Sequence, residues 1–182
     1  MSWIRNIKSS IGEYLFRKEI KFTQRERAVV GFGDAKKIGI LYDATTKSNY
    51  ELVKEYLRKI RNQQKEVKAL GFIDSKKFPP DQFVKLGMDF FTREHLNWYL
   101  TPDSRVTDNF VNENFDILIS LNIEKCFPLQ YISAFSKAKY RVGNYGNGSE
   151  VFYDLMINLK PEDDLKNFIE QVDYYINLIN TK

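Results

Sequence analysis

Apolar positions alternate with polar ones in two rhythms along this chain, and the rhythm changes several times. Lys37-Ile38-Gly39-Ile40-Leu41-Tyr42-Asp43 and Glu66–Asp74 are short, nearly continuous apolar runs, the pattern of strands buried on both faces. Between them Leu52, Val53, Tyr56, Leu57 and Ile60 recur at helical spacing. Ser48 and Glu51 have the spacing of a capping box, which predicts a helix from there through about Gln64. Phe78-Pro79-Pro80-Asp81 breaks the pattern. A third, short strand is predicted at Met88–Phe91 and a short helix within 105–114. Phe115–Leu121 is the clearest strand. A helix opens at Pro128, with Leu129, Ile132, Ala134, Phe135 and Ala138 for packing. Lys139–Gly143 and Val151–Asn158 read as the last strands. Leu165, Phe168, Ile169, Val172, Ile176 and Ile179 give the closing helix a 3.6-residue period.

Strands alternating with helices predict an α/β fold: an open, mostly parallel sheet, Rossmann-like or flavodoxin-like, flanked by helices on both faces. Such sheets place ligands beyond the carboxyl ends of their strands, here the loops at 43–49, 74–80, 92–97, 122–128 and 144–149.

The first 27 residues carry a different pattern. Trp3, Ile4, Ile7, Ile11, Tyr14, Leu15 and Phe22 recur at spacings of three and four, while Arg5, Asn6, Lys8, Ser9, Glu13 and Arg17 fall on the other side. This predicts an N-terminal amphipathic helix, weakened by Gly12 by about 1 kcal/mol relative to alanine. Net charge sharpens the division. The chain has 182 residues, 28 Lys and Arg against 24 Asp and Glu, and a net charge of +4. Arg5, Lys8, Arg17, Lys18, Lys21, Arg25 and Arg27 against Glu13, Glu19 and Glu26 put all of that excess in residues 1–27, leaving 21 basic and 21 acidic groups beyond them. The expected organisation is therefore a basic amphipathic arm, 1–27, and a single α/β domain, 28–182.

A neutral body argues against duplex DNA as a partner, because that binding needs clustered Lys and Arg. A basic helix bearing Trp and Ile suits an anionic membrane surface, a groove on a protein or ribonucleoprotein complex, or direct contact with RNA. The competing expectation is that the apolar stripe packs on the protein's own body. Trp3, Ile4, Arg5, Ile7, Lys8, Ile11, Leu15, Arg17, Lys18 and Lys21 are the candidate contacts. No apolar run reaches the roughly 18 residues of a membrane span. One cysteine excludes an internal disulfide, and with one histidine it excludes a Cys/His zinc site. No signal peptide is read at the start, so the expected location is cytoplasmic, with peripheral attachment to the inner face of the membrane open to the arm.

Chemistry in the body is sparse. Asp43, Thr45, Thr46, Lys47 and Ser48, with Asn122 after the clearest strand, are the candidate ligand residues for a nucleotide or sugar phosphate. The loop lacks the glycines of a phosphate-binding cradle, and capping accounts for its hydroxyls more readily. Gly31-Phe32-Gly33 precedes its strand, and Gly143–Gly148 runs toward a strand, so neither has the mechanics of a dinucleotide fingerprint. Cys126 and His95 would form a nucleophilic pair only if the fold joined them. No cofactor and no metal is expected. The leading expectation is a non-enzymatic accessory or adaptor protein whose basic helix docks to a membrane-associated or ribonucleoprotein complex. The alternative is a small nucleotide- or sugar-phosphate-binding enzyme.

Two resemblances follow from these residues. Phe115–Leu121 followed by Ile132–Gly143 resembles a strand–helix–strand segment of the lipopolysaccharide heptosyltransferase family, over about 29 residues. It implies local fold only, since Ser120 stands where that pattern often has an acid and no catalytic residue carries over. The whole chain resembles an uncharacterised family of small bacterial α/β proteins, through its Lys/Arg-rich N-terminal helix, the strand Ile38–Asp43, Phe115–Leu121 and Tyr140–Gly143. That resemblance implies the architecture and transfers no activity.

Overall fold

The computed structural model describes residues 2–22, 24–78, 87–146 and 148–179, with the side chains of all of these except residues 2–9 and 22. The Pro79-Pro80-Asp81 break, Asn147 and the side chains of Trp3, Ile4, Arg5, Ile7 and Lys8 lie outside the described residues.

Among the described residues six strands form one sheet: β1 (Lys37–Asp43), β2 (Glu66–Ile73), β3 (Met88–Thr92), β4 (Ile117–Leu121), β5 (Tyr140–Asn144) and β6 (Leu155–Ile157). Their order is β3-β2-β1-β4-β5-β6 and every neighbouring pair is parallel. That order is the Rossmann one, which decides between the two architectures expected.

Helices α2 (Lys47–Asn62) and α5 (Leu165–Leu178) cover one face. Tyr50, Val53, Tyr56, Leu57 and Ile60 of α2 and Leu165, Phe168, Val172 and Ile176 of α5 pack there on Ile38, Ile40, Ile117, Ile119 and Val142. On the other face α3 (Arg105–Val111) and α4 (Phe127–Phe135) bring Phe110, Leu129 and Ile132 onto Leu41, Leu70 and Leu118. The period-two alternation within each strand is what feeds both cores at once.

Beyond shifts of one or two residues at several ends, two departures from the sequence reading change a residue's role or an element's length. Thr46, not Ser48, caps α2, because its Oγ1 accepts from the Asn49 backbone N–H at 3.2 Å. A 3₁₀ turn at Ser149–Val151 replaces the first part of the expected last strand, and β6 is only Leu155–Ile157.

Helix α1 (Ser2–Glu19) lies beside α4. Phe16 is 5% exposed and meets the rings of Phe127, Tyr131, Phe135 and Phe152 at centroid distances of 5.5–6.2 Å. Glu13 pairs with Lys125 at 2.8 Å, and Glu19 accepts from the Tyr131 hydroxyl at 3.2 Å. These levels run in step, so α1 descends parallel to α4, from the carboxyl ends of the strands toward their starts. Gly12 is required here, since a Cβ would collide with the Tyr99 carbonyl oxygen. The chain then crosses the starts of the strands. Arg25 donates through Nη1 to the carbonyls of Ala138 and Lys139 at 2.9 and 3.0 Å, and Ala28 N–H donates to Lys139 at 3.2 Å.

Candidate functional site

In a Rossmann order the connections leaving β1 and β4 depart to opposite sides, and a mouth opens between their carboxyl ends. The last registered pair is Tyr42 with Leu121, so Asp43 and Asn122 stand side by side one step further on. This brings together residues far apart in the chain that the sequence singled out separately.

Most of the β1–α2 loop is engaged in holding itself. Asp43 Oδ1 accepts from Thr45 N–H at 2.8 Å, and the Asp43 carbonyl accepts from Asn49 Nδ2 at 3.1 Å. Thr46 caps α2. Thr45 Oγ1 accepts from the Asp74 N–H at 3.0 Å, and Arg93 Nε donates to Asp74 Oδ1 at 2.5 Å. The ends of β1, β2 and β3 are thereby tied in a row. Lys47 and Ser48 are exposed on the first turn of α2.

The β4 side is different. Asn122 is 8% exposed; its Nδ2 donates to Ser120 Oγ at 2.9 Å, and its Oδ1 is buried without a hydrogen-bond partner. Tyr153 donates its hydroxyl to the same Ser120 Oγ at 3.1 Å. Burial pushes the Tyr153 phenol up to about 12, with the bond to Ser120 pulling the other way, so it stays protonated and donating at neutral pH. The ring lies over Gly143, where a Cβ would meet it at 2.5 Å. Asn144 Nδ2 donates to the Ile123 carbonyl at 2.8 Å and steadies the loop that follows. That loop leads into α4, whose N-cap residue Cys126 makes no side-chain capping bond and whose second helical position is Pro128.

Neither Ser120 nor Tyr153 was among the candidate site residues read from the sequence. Ser120 carried a signal, the one hydroxyl in the otherwise apolar Ile117–Leu121. Tyr153 carried none, because its partner is 33 residues away.

His95 and Cys126 are not joined. His95 follows β3, where its Nδ1 meets the Thr92 N–H at 3.1 Å and Thr92 Oγ1 at 3.0 Å. Cys126 follows β4, and β2 and β1 lie between those strands. Among the described residues no group of three or more His, Cys, Asp or Glu is placed to hold a metal ion, and no helix is long and apolar enough to cross a membrane.

The basic residues of the N-terminal segment divide into two sets. Tyr14, at 67% exposure, shares the outer side of α1 with the exposed Arg17 and Lys18, and the exposed Lys21 follows in the 3₁₀ turn Ile20–Phe22. Ile11 and Leu15 are half-buried on the inner side with Phe16. Arg25 and Arg27, by contrast, both hold Asp154, at 2.7 and 2.5 Å. Asp154 also accepts from the Arg141 N–H at 2.9 Å. Burial pulls the Arg141 guanidinium down to about 9, helped by Arg25 close by. It is steadied by donating to the Ser136 carbonyl at the end of α4, at 2.6 Å.

No curated protein matches the chain in a sequence comparison. A family model does match it, over residues 8–179, which takes in the α1 contacts, the whole sheet and α5. The chain therefore belongs to the family described as "Family of unknown function (DUF6913)".

Proposed function

We propose that the protein is a non-enzymatic adaptor, and that the outer side of α1 is where it docks to a membrane-associated or ribonucleoprotein complex. The observation that carries this reading is the row Tyr14, Arg17 and Lys18 on α1 and Lys21 in the 3₁₀ turn Ile20–Phe22 that follows it, all exposed, while Phe16 fixes the helix to α4. A cationic row held rigidly loses little conformational freedom when an acidic surface binds it. The setting proposed is a bacterial cytoplasm, with attachment to the inner face of the membrane where the complex lies there.

The test is charge reversal at Arg17, Lys18 and Lys21 together in the full chain, which leaves Phe16 in place. Cell fractionation and co-purification should show the variant released from its complex, while its unfolding midpoint stays near that of the parent. Unchanged association sinks the reading. Salt separates the partners: contacts with RNA phosphates weaken with a slope of roughly −0.7 per neutralised phosphate on a log–log plot. Membrane contact that includes apolar insertion keeps a salt-resistant part.

A second reading is favoured by a separate observation. The Rossmann strand order and the buried, unpartnered Oδ1 of Asn122 support a small nucleotide or sugar phosphate as a ligand at the strand ends. An adaptor body and a ligand site are compatible in one chain.

A further inference from the structure

We infer that the mouth between β1 and β4 is an anion site, in which the first turn of α4 and the carboxamide of Asn122 receive the phosphate group of a small phosphorylated ligand; this rests on the second reading above.

The argument begins with the hydrogen bonds around Ser120. Its Oγ accepts from both Asn122 Nδ2 and the Tyr153 hydroxyl, which leaves Asn122 Oδ1 unpaired in a site that is more than nine-tenths buried. A buried polar atom without a partner costs on the order of 1–3 kcal/mol, so its presence calls for something to bind it. The two ends of a carboxamide are nearly isosteric and their assignment follows from the bonds available. Turning the amide over completes a relay: Tyr153 donates to Ser120, Ser120 donates to Asn122 Oδ1, and Nδ2 takes the outer place. Nδ2 then holds the buried position that is left without a partner, at the strand end from which the chain leads into α4.

A second donor set follows five residues on, at the start of α4. α4 has nine residues, and its N-cap residue makes no side-chain capping bond. Pro128 has no N–H, so the donors of the first turn are those of Phe127 and Leu129. The helix dipole adds positive potential at the same end. On the β1 side the contrast is direct: Thr46 already caps α2, and Asp43 is turned onto its own loop. The helix start without a side-chain cap is the one that follows Asn122.

Titration calorimetry on the full chain tests this with inorganic phosphate, ADP and glucose 1-phosphate, each against adenosine or glucose as the uncharged control. The phosphorylated probes should bind and the controls should not. Binding of inorganic phosphate as well as the organic probes assigns the affinity to the phosphate itself, and a preference for ADP or glucose 1-phosphate names the ligand's other half. Asn122→Asp keeps an acceptor for Ser120 and places a negative charge in the mouth, so it should weaken phosphate binding by about tenfold or more. Unchanged or tighter binding by that variant overturns the assignment. Amide chemical shifts of the parent protein cover the case of a variant that does not fold: phosphate should move Phe127 and Leu129 most. Shifts centred on Lys47 and Ser48 keep the ligand reading and overturn this site. No binding by any phosphorylated probe overturns both.

Discussion

Asp154 shows how one side chain can organise the start of a sheet. Burial raises its carboxyl, but the hydrogen bonds from Arg25 and Arg27 and from the Arg141 N–H outweigh that and hold it below the usual carboxylate range. A carboxyl depressed in the fold adds stability above its unfolded value of about 3.9 and loses it as pH falls through the folded value. Stability should therefore drop on acidification below about pH 4, and Asp154→Asn should flatten that part of the profile. At neutral pH the same variant leaves the mostly buried Arg25 without its charge partner. Urea unfolding should show a loss on the order of 3 kcal/mol. An unaltered acid limb would mean that other carboxylates govern it. Glu113 is the rival to check, since its bonds from Lys37 and then Lys68 also hold it low. Gly143 gives a second prediction at this scale. Gly143→Ala drives a methyl into the Tyr153 ring, and urea unfolding should register a cost of about 1–3 kcal/mol.

At the scale of elements, Phe16 is the one buried aromatic by which α1 meets the body among the described side chains. Phe16→Ala removes a ring that meets four others, at a cost of about 3–5 kcal/mol if α1 unfolds together with the rest. If α1 instead detaches alone, limited proteolysis should cut within residues 10–22 while the sheet resists. Global unfolding would then move less than the lost burial implies. Either result fixes how tightly the exposed basic row is presented. The elements themselves were largely legible in sequence. Strands β1, β2 and β4 announced themselves because burial on both faces demands unbroken apolar runs, and α5 because one face must be apolar at 3.6-residue spacing. The end of the chain read less well. Val151 and Phe152 have the β-branched and aromatic character of a strand, but Gly148 at φ 79° starts a 3₁₀ turn that places Tyr153 over Gly143. A long-range ring contact overrode local propensity there.

For the whole molecule, the division at residue 27 that the charge count suggested does not coincide with the contacts. Arg25 and Arg27 belong electrostatically to Asp154, and Phe16 to the cluster around Phe127. Net charge is a sum over sequence and carries no information about which cations are already paired across the fold; the pairs here span 127–129 positions. The same limit hid the candidate ligand site: Asn122 was legible as a strand-end residue, whereas its unpaired atom depends on Tyr153 and Ser120 meeting in space. Deletion of residues 1–27 is consequently a poor test of docking, because it strips Phe127 and Phe152 of their cover and takes two arginines from Asp154. That truncation should aggregate, or unfold several kcal/mol sooner than the full chain, summing a lost aromatic and a broken buried pair at roughly 3 kcal/mol each. Deletion of residues 1–9 alone spares every one of those contacts. Comparing the two truncations by urea unfolding and then by cell fractionation separates a folding defect from a docking defect. If the 1–9 deletion keeps its association and the Arg17, Lys18 and Lys21 reversal loses it, docking runs through the rigid outer row of α1. If the deletion alone releases the protein, the contact is made by the candidates Trp3, Ile4, Arg5, Ile7 and Lys8 instead.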